Sequence, residues 1–127
     1  MIQPKISVGT VCYNAANCIE NLIRSVKKQT YSNIEFVVVD GVSNDGTLDI
    51  LNKYKQDIDI LVSEPDKGIY DAMNKLLKLA TGDFLIFMGA DDVFYNDEVI
   101  SNMVLEMKES DSVYYGSVCL LYTSPSP

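Results

Sequence analysis

The chain has 127 residues, 47% apolar and 22% charged, a balance that suits one globular domain with a core of its own. Its net charge of −8 argues against the basic footprint of a nucleic-acid binder, and no apolar run approaches the roughly 20 residues of a membrane span. There is no histidine, and the three cysteines show no C-x-x-C spacing, which excludes a Ser-His-Asp triad or a His-ligated metal and argues against a zinc site or a disulfide framework.

Residues 6–11 are a continuous apolar and β-branched run, the pattern of a buried strand, in which Cys12 follows as a small core residue. Asn14 then marks a turn. Ile19, Leu22, Ile23 and Val26 recur at helical spacing, and that helix ends near residue 29. Residues 34–39 form a second buried strand, stopped by Asp40-Gly41. A loop over 43–46 opens a helix over 47–55. A strand is predicted over 58–62, a loop over 64–68, and a helix over 69–80 that Gly82 stops. Residues 84–88 read as a fourth strand, 97–108 as a fourth helix and 112–118 as a fifth strand.

Strands alternating with helices predict an α/β domain, a largely parallel sheet covered on both faces. Ligands of such sheets bind beyond the carboxyl ends of the strands. That rule selects Tyr13-Asn14, 40–45, 64–68 and 89–92, and three of these four segments carry carboxylates. Asp40 either accepts hydrogen bonds from a base or ribose or satisfies its own turn. Asp91 and Asp92 are adjacent carboxylates that repel unless solvated or bound to a cation; Mg²⁺ or Mn²⁺ takes one or two carboxylates plus substrate phosphates. Lys67 and Gly68 precede a helix and read either as loop residues or as phosphate neighbours. Tyr13 either stacks on a base or ends its strand against the core.

Five blocks in order resemble the inverting family 2 glycosyltransferases of the GT-A fold, a Rossmann-like architecture. They are Pro4-Lys5-Ile6-Ser7-Val8 through Val11-Cys12-Tyr13-Asn14, then Gln29-Thr30-Tyr31-Ser32-Asn33-Ile34-Glu35. Val39-Asp40-Gly41-Val42-Ser43-Asn44-Asp45-Gly46-Thr47 follows. The fourth, Ser63 through Lys75, is similar to a block of the family's bacterial polysaccharide members. The last is Ala80-Thr81-Gly82-Asp83 with Gly89-Ala90-Asp91-Asp92. The resemblance implies that Thr10, Tyr13, Asn14, Asp40, Asp45, Asp66, Lys67 and Asp91 bind the donor and that Asp91 and Asp92 bind a divalent metal, Mg or Mn. Where the family's acidic motif often begins with Asp or Asn, Gly89 stands, which implies a missing ribose or diphosphate contact.

The reaction implied is transfer of a sugar, with inversion, from a nucleoside-diphosphate donor, expected to be a UDP-sugar, to a hydroxyl of a saccharide or lipid-linked acceptor. Its setting would be cell-surface polysaccharide synthesis in the cytoplasm or at the inner face of the membrane. The acceptor's general base is expected beyond the end of the chain, which the resemblance reads as truncated before the acceptor half. The alternative for such a chain is an inactive nucleotide-binding fragment. A phosphorylatable receiver domain is disfavoured, because its acidic pair should follow the first strand, where Tyr13-Asn14 stands. The domain is expected to span 1–118. Residues 119–127 leave the family pattern and read as a non-native tail, compatible with read-through of a sequencing adaptor, or as a disordered one.

Overall fold

The computed structural model describes residues 4–107 and 119–122. Its elements in chain order are β1 (Ile6–Cys12), α1 (Ile19–Lys27), β2 (Ile34–Asp40), α2 (Thr47–Lys53), a 3-10 turn at Lys55–Asp57, β3 (Ile60–Ser63), α3 (Ile69–Leu79), β4 (Phe84–Phe87), α4 (Val99–Met107) and β5 (Cys119–Tyr122). They build one sheet of order β3-β2-β1-β4-β5. The first four strands are parallel, with Ile6 opposite Ile34 and Phe84, and β5 runs antiparallel to β4. The chain steps outward from β1 to β3, then crosses to the other side of β1 to form β4. The order therefore reverses between β1 and β4, the place where open α/β sheets hold ligands.

Two cores explain the order. All seven β1 residues are buried, as a strand covered on both faces requires. Ile6, Val8 and Cys12 turn one way and join α1 (Ile19, Leu22, Ile23, Val26), Leu51 of α2 and Ile100 and Val104 of α4. Val11, with Val37 and Val39 of β2, turns the other way onto Ala72 and Leu76 of α3. Alternating strand side chains thus feed two helical layers.

Several boundaries move for identifiable reasons. β3 begins at residue 60, not 58, because Asp59 Oδ2 takes the Phe36 N–H at 2.7 Å where a ladder carbonyl would otherwise sit. α2 stops at Lys53 and tightens into the 3-10 turn. α4 begins at Val99, two residues later than expected. Asn96 Oδ1 accepts the Glu98 N–H and Gln29 Oε1 accepts the Ile100 N–H, so side chains satisfy its first free donors. The strand expected over 112–118 lies outside the described residues. Of the tail expected over 119–127, Cys119–Tyr122 instead pair with β4 as β5, an edge position in the sheet.

The Gln-Thr-Tyr and Ala-Thr-Gly blocks act at the opposite edge from the strand ends considered below. Gln29 Nε2 donates to Asn96 O at 2.7 Å, and Tyr31 OH donates to Pro4 O. Glu35, 7% exposed, accepts the Ser7 hydroxyl, the Thr81 N–H and the Thr81 hydroxyl, with Lys5 Nζ at 3.4 Å. Burial pushes its pKa up, but the Thr81 and Ser7 hydrogen bonds and Lys5 outweigh that, and it ends below the usual value. A carboxyl lowered in this way stabilises the fold fully above its unfolded value of about 4.3, and the contribution fades as pH falls through the lower folded value. The melting temperature should therefore drop more steeply for the natural chain than for Glu35→Gln as pH falls from about 4.5 to 3. Thermal melts across that range check it, and parallel curves would count against the assignment.

Candidate functional site

The carboxyl ends of β1, β2 and β4 carry three loops: 13–18, 41–46 and 88–98. The first two are zipped together by side chains. Asn14 N–H donates to Ser43 Oγ at 2.8 Å, Asn44 N–H to Asn14 Oδ1 at 2.9 Å, and Ala15 N–H to Thr47 Oγ1 at 2.8 Å. Asp45 Oδ2 accepts the Ala16 N–H, and its Oδ1 accepts the Thr47 N–H and hydroxyl. The Thr47 hydroxyl is the main cause of the lowered Asp45 pKa, against some opposing burial. Asn14 sits at φ 52°, a left-handed conformation that asparagine tolerates, whereas Val42 at φ 64° is a β-branched residue that rarely adopts it.

Asp40 is fully buried. Its carboxylate accepts the Ser43 N–H at 2.9 Å, the Ser43 hydroxyl at 2.5 Å, the Ser63 hydroxyl at 2.9 Å and the Cys12 thiol at 3.4 Å. It holds the loop from within and is turned away from solvent. Of the two readings open to it, satisfying its own turn is the one the geometry matches. Burial, then the neighbouring Asp40 charge, pushes the Cys12 thiol far above its ordinary value.

Thr10 is also fully buried, and its hydroxyl has no hydrogen-bond partner among the described residues. It shares strand parity with Ile6, Val8 and Cys12, so the alternation of β1 turns it toward the α1 layer and not to the open edge.

Beside these loops a cavity of about 300 Å³ opens between β1, the 64–68 loop and α3. It is walled by Val11, Cys12, Tyr13, Asp66, Gly68, Ile69 and Ala72. Tyr13 is 61% exposed and forms a flat aromatic side of it. Asp66 Oδ1 accepts the Gly68 N–H at 3.1 Å, and Asp71 Oδ2 accepts the Lys67 N–H at 2.9 Å. Lys75 braces the loop from α3, donating to Pro65 O at 2.6 Å and pairing with Glu64 and Asp71. Lys67 itself is exposed.

The third loop follows β4 at the reversal point. Asp92 Oδ2 accepts the Gly89 N–H at 2.9 Å, and Asp92 N–H returns to Gly89 O at 3.0 Å, so this side chain is fixed by its own turn. Asp91 is exposed. Asp92 Oδ2 and Asp91 Oδ1 lie 3.1 and 3.2 Å from the point a Cβ at residue 89 would occupy. The two carboxylates therefore converge over the glycine. Burial raises the pKa of Cys18, in the turn before α1, and so do the charges of Asp91 and Asp45. Among the described residues no group of three or more His, Cys, Asp or Glu side chains could hold a metal ion.

Of the residues expected at the site, Tyr13 and Asp66 wall the cavity, Asn14 and Asp45 tie the first two loops, Asp91 and Asp92 lie together in the third, and Lys67 is exposed, while Asp40 and Thr10 are turned inward. Sequence reasoning missed Ser43, Ser63 and Thr47, which tie the loops. The signal for Ser43 and Thr47 lay inside the Asp-Gly-x-Ser-x-Asp-Gly-Thr block and that for Ser63 at the head of the fourth block, hydroxyls that suit short loop hydrogen bonds.

Residues 7–120 match the sequence profile described as "Glycosyl transferase family 2". The chain is 36% identical over 130 residues to a PGL/p-HBAD biosynthesis glycosyltransferase of Mycobacterium bovis, with 98% of this chain and 50% of that protein covered. It is 31% identical over 128 residues to the putative teichuronic acid biosynthesis glycosyltransferase TuaG of Bacillus subtilis, with 98% and 51% covered. The chain thus spans about half the length of these curated relatives. A crystal structure of S. aureus TarS 1-349 in complex with UDP-GlcNAc superposes with a TM-score of 0.76 at 32% identity, over 83% of this chain and 31% of that one. The largely parallel Rossmann-like sheet is the GT-A architecture of such enzymes, and no described helix is long and apolar enough to cross a membrane. The chain belongs to glycosyl transferase family 2.

Proposed function

We propose that this chain forms the donor-binding half of an enzyme that moves a sugar from a UDP-sugar to a hydroxyl of a saccharide or lipid-linked acceptor, with inversion, in cell-surface polysaccharide synthesis. The observation that carries the reading is the cavity at the strand ends: an aromatic wall, Tyr13, faces a carboxylate loop, and the Asp91–Asp92 pair lies at the neighbouring reversal point. An aromatic ring and apolar walls suit a flat base, with few polar groups fixing its orientation.

Asp91 and Asp92 supply two oxygen ligands for Mg²⁺ or Mn²⁺. Two are enough when substrate phosphates complete the shell. A divalent ion there would neutralise the leaving diphosphate. Asp91, free of hydrogen bonds to the described residues, is the direct ligand, and Asp92 is held in place by the Gly89 turn. Lys67, exposed next to the α3 N-terminus, is a cation within reach of a diphosphate. Work at the cytoplasmic face of the membrane fits the chemistry of a lipid-linked acceptor.

Inverting transfer also needs a carboxylate base to take the acceptor proton. We place that base in the half of the relatives that this chain does not span, so the 127-residue chain alone binds donor without turning it over. Titration calorimetry with UDP-GlcNAc tests both parts. Binding strengthened by Mn²⁺, with no sugar release to a saccharide acceptor, is expected. Absence of binding with and without metal would overturn the donor-site reading, and steady transfer would overturn the placement of the base.

A further inference from the structure

We propose that Asp66, and not Asp40, is the residue that reads the nucleobase, and that Gly41 is a glycine in order to admit it. This rests on the reading of the cavity as a donor site. The two carboxylates have opposite circumstances. Asp40 is fully buried and takes four hydrogen bonds from the protein, so it has no face to offer a ligand. Asp66 walls the cavity. Its Oδ1 is committed to the Gly68 N–H, while its Oδ2 accepts no hydrogen bond among the described residues.

The free oxygen is also placed. Asp66 Oδ2 lies 2.7 Å from the point a Cβ at residue 41 would occupy, and Tyr13 Cδ1 lies 3.6 Å from the same point. A Cβ at 41 would require the carboxylate to move out of this position. The backbone does not demand glycine there, since φ of Gly41 lies outside the left-handed region that Gly46 and Gly68 occupy. The space above Gly41 therefore carries an acceptor from another loop, next to an aromatic face. A base lying against Tyr13 would present its edge to that oxygen.

A carboxylate only accepts, so it selects a ring N–H. Uracil carries one at N3, whereas cytosine has a lone pair at N3 and offers only its exocyclic N4 amine, so an oxygen fixed opposite the N3 position favours uracil. Unpaired polar groups in a site are what make such discrimination steep. A hydrogen bond to a charged acceptor corresponds to roughly 10-fold or more in affinity.

The test is titration calorimetry of the 127-residue chain with UDP and with CDP, in Mn²⁺, for the natural chain, Asp66→Asn, Asp66→Ala and Gly41→Ala. The natural chain should favour UDP by roughly 10-fold or more. In Asp66→Asn the single oxygen stays on the Gly68 N–H and the amide NH₂ faces the base, so the preference should narrow or reverse toward CDP. Asp66→Ala should remove the preference. Gly41→Ala, which pushes the carboxylate aside, should lower UDP affinity and add nothing further when combined with Asp66→Ala. A UDP-to-CDP ratio unchanged in both Asp66 variants would overturn the assignment while leaving the donor site standing. If the natural chain binds neither nucleotide, both fall.

Discussion

Asp40→Asn should lower the free energy of unfolding by about 3 kcal/mol and weaken UDP binding only as a consequence. The carboxylate is buried and accepts from four donors: the Ser43 N–H and hydroxyl, the Ser63 hydroxyl and the Cys12 thiol. An amide turns one oxygen into an NH₂ group. That group would meet donors, and at least one buried N–H or O–H would lose its partner, at about 1–3 kcal/mol each. The damage would spread, because Ser43 also receives the Asn14 N–H and so links the loops after β1 and β2. Urea unfolding monitored by circular dichroism measures the loss. If Asp40 instead served the donor directly, the variant would keep its stability and lose affinity alone, and that outcome would refute the structural role.

Asp91→Ala should behave in the opposite way. The side chain is exposed and makes no hydrogen bond to the described residues, so stability should stay within about 0.5 kcal/mol of the natural chain. The gain in UDP affinity on adding Mn²⁺, roughly 10-fold or more where a metal bridges carboxylate and diphosphate, should vanish. Asp92→Ala should lose that gain too, and in addition about 1 kcal/mol of stability, because its Oδ2 accepts the Gly89 N–H. Gly89→Ala is expected to resemble Asp91→Ala. Its Cβ would stand 3.1 and 3.2 Å from the two carboxylate oxygens, so both would have to shift by a few tenths of an ångström from where they converge. Calorimetry with and without Mn²⁺, paired with thermal melts, separates the three variants. A metal response that survives in Asp91→Ala would remove that residue from the ligand set.

Much of this was legible in the residues themselves. The apolar runs of β1, β2 and β4 and the helical spacing of Ile19, Leu22, Ile23 and Val26 carry strong periodic signals, because strands covered on both faces must be apolar throughout. Element ends were less legible. The late start of α4 depends on Gln29, some seventy residues away in sequence, and the late start of β3 depends on the Asp59 side chain replacing a ladder carbonyl. No local window contains either contact. At the site, the motif blocks pointed to the carboxyl ends of the strands but not to the direction of each side chain. Asp40 and Asp66 look alike in a sequence. One faces inward and the other faces a cavity because of where Ser43 in its own loop, and a serine, a thiol and a glycine in other segments, sit. The Gln-Thr-Tyr and Ala-Thr-Gly blocks serve to tie the far edge of the sheet through Gln29, Tyr31, Glu35 and Thr81.

Positions 41 and 42 have exchanged the residues that backbone geometry alone would assign them. Gly41 has an ordinary backbone and is small for the sake of a neighbour's carboxylate, whereas Val42 adopts the mirror-image conformation with a branched side chain. Glycine at 42 would relieve strain of about 1–2 kcal/mol, while alanine at 41 would strain a contact between loops rather than the chain itself. The spatial constraint therefore falls one residue ahead of the torsional one, and an alignment that treats the glycine of this turn as a bend-former misses what it makes room for.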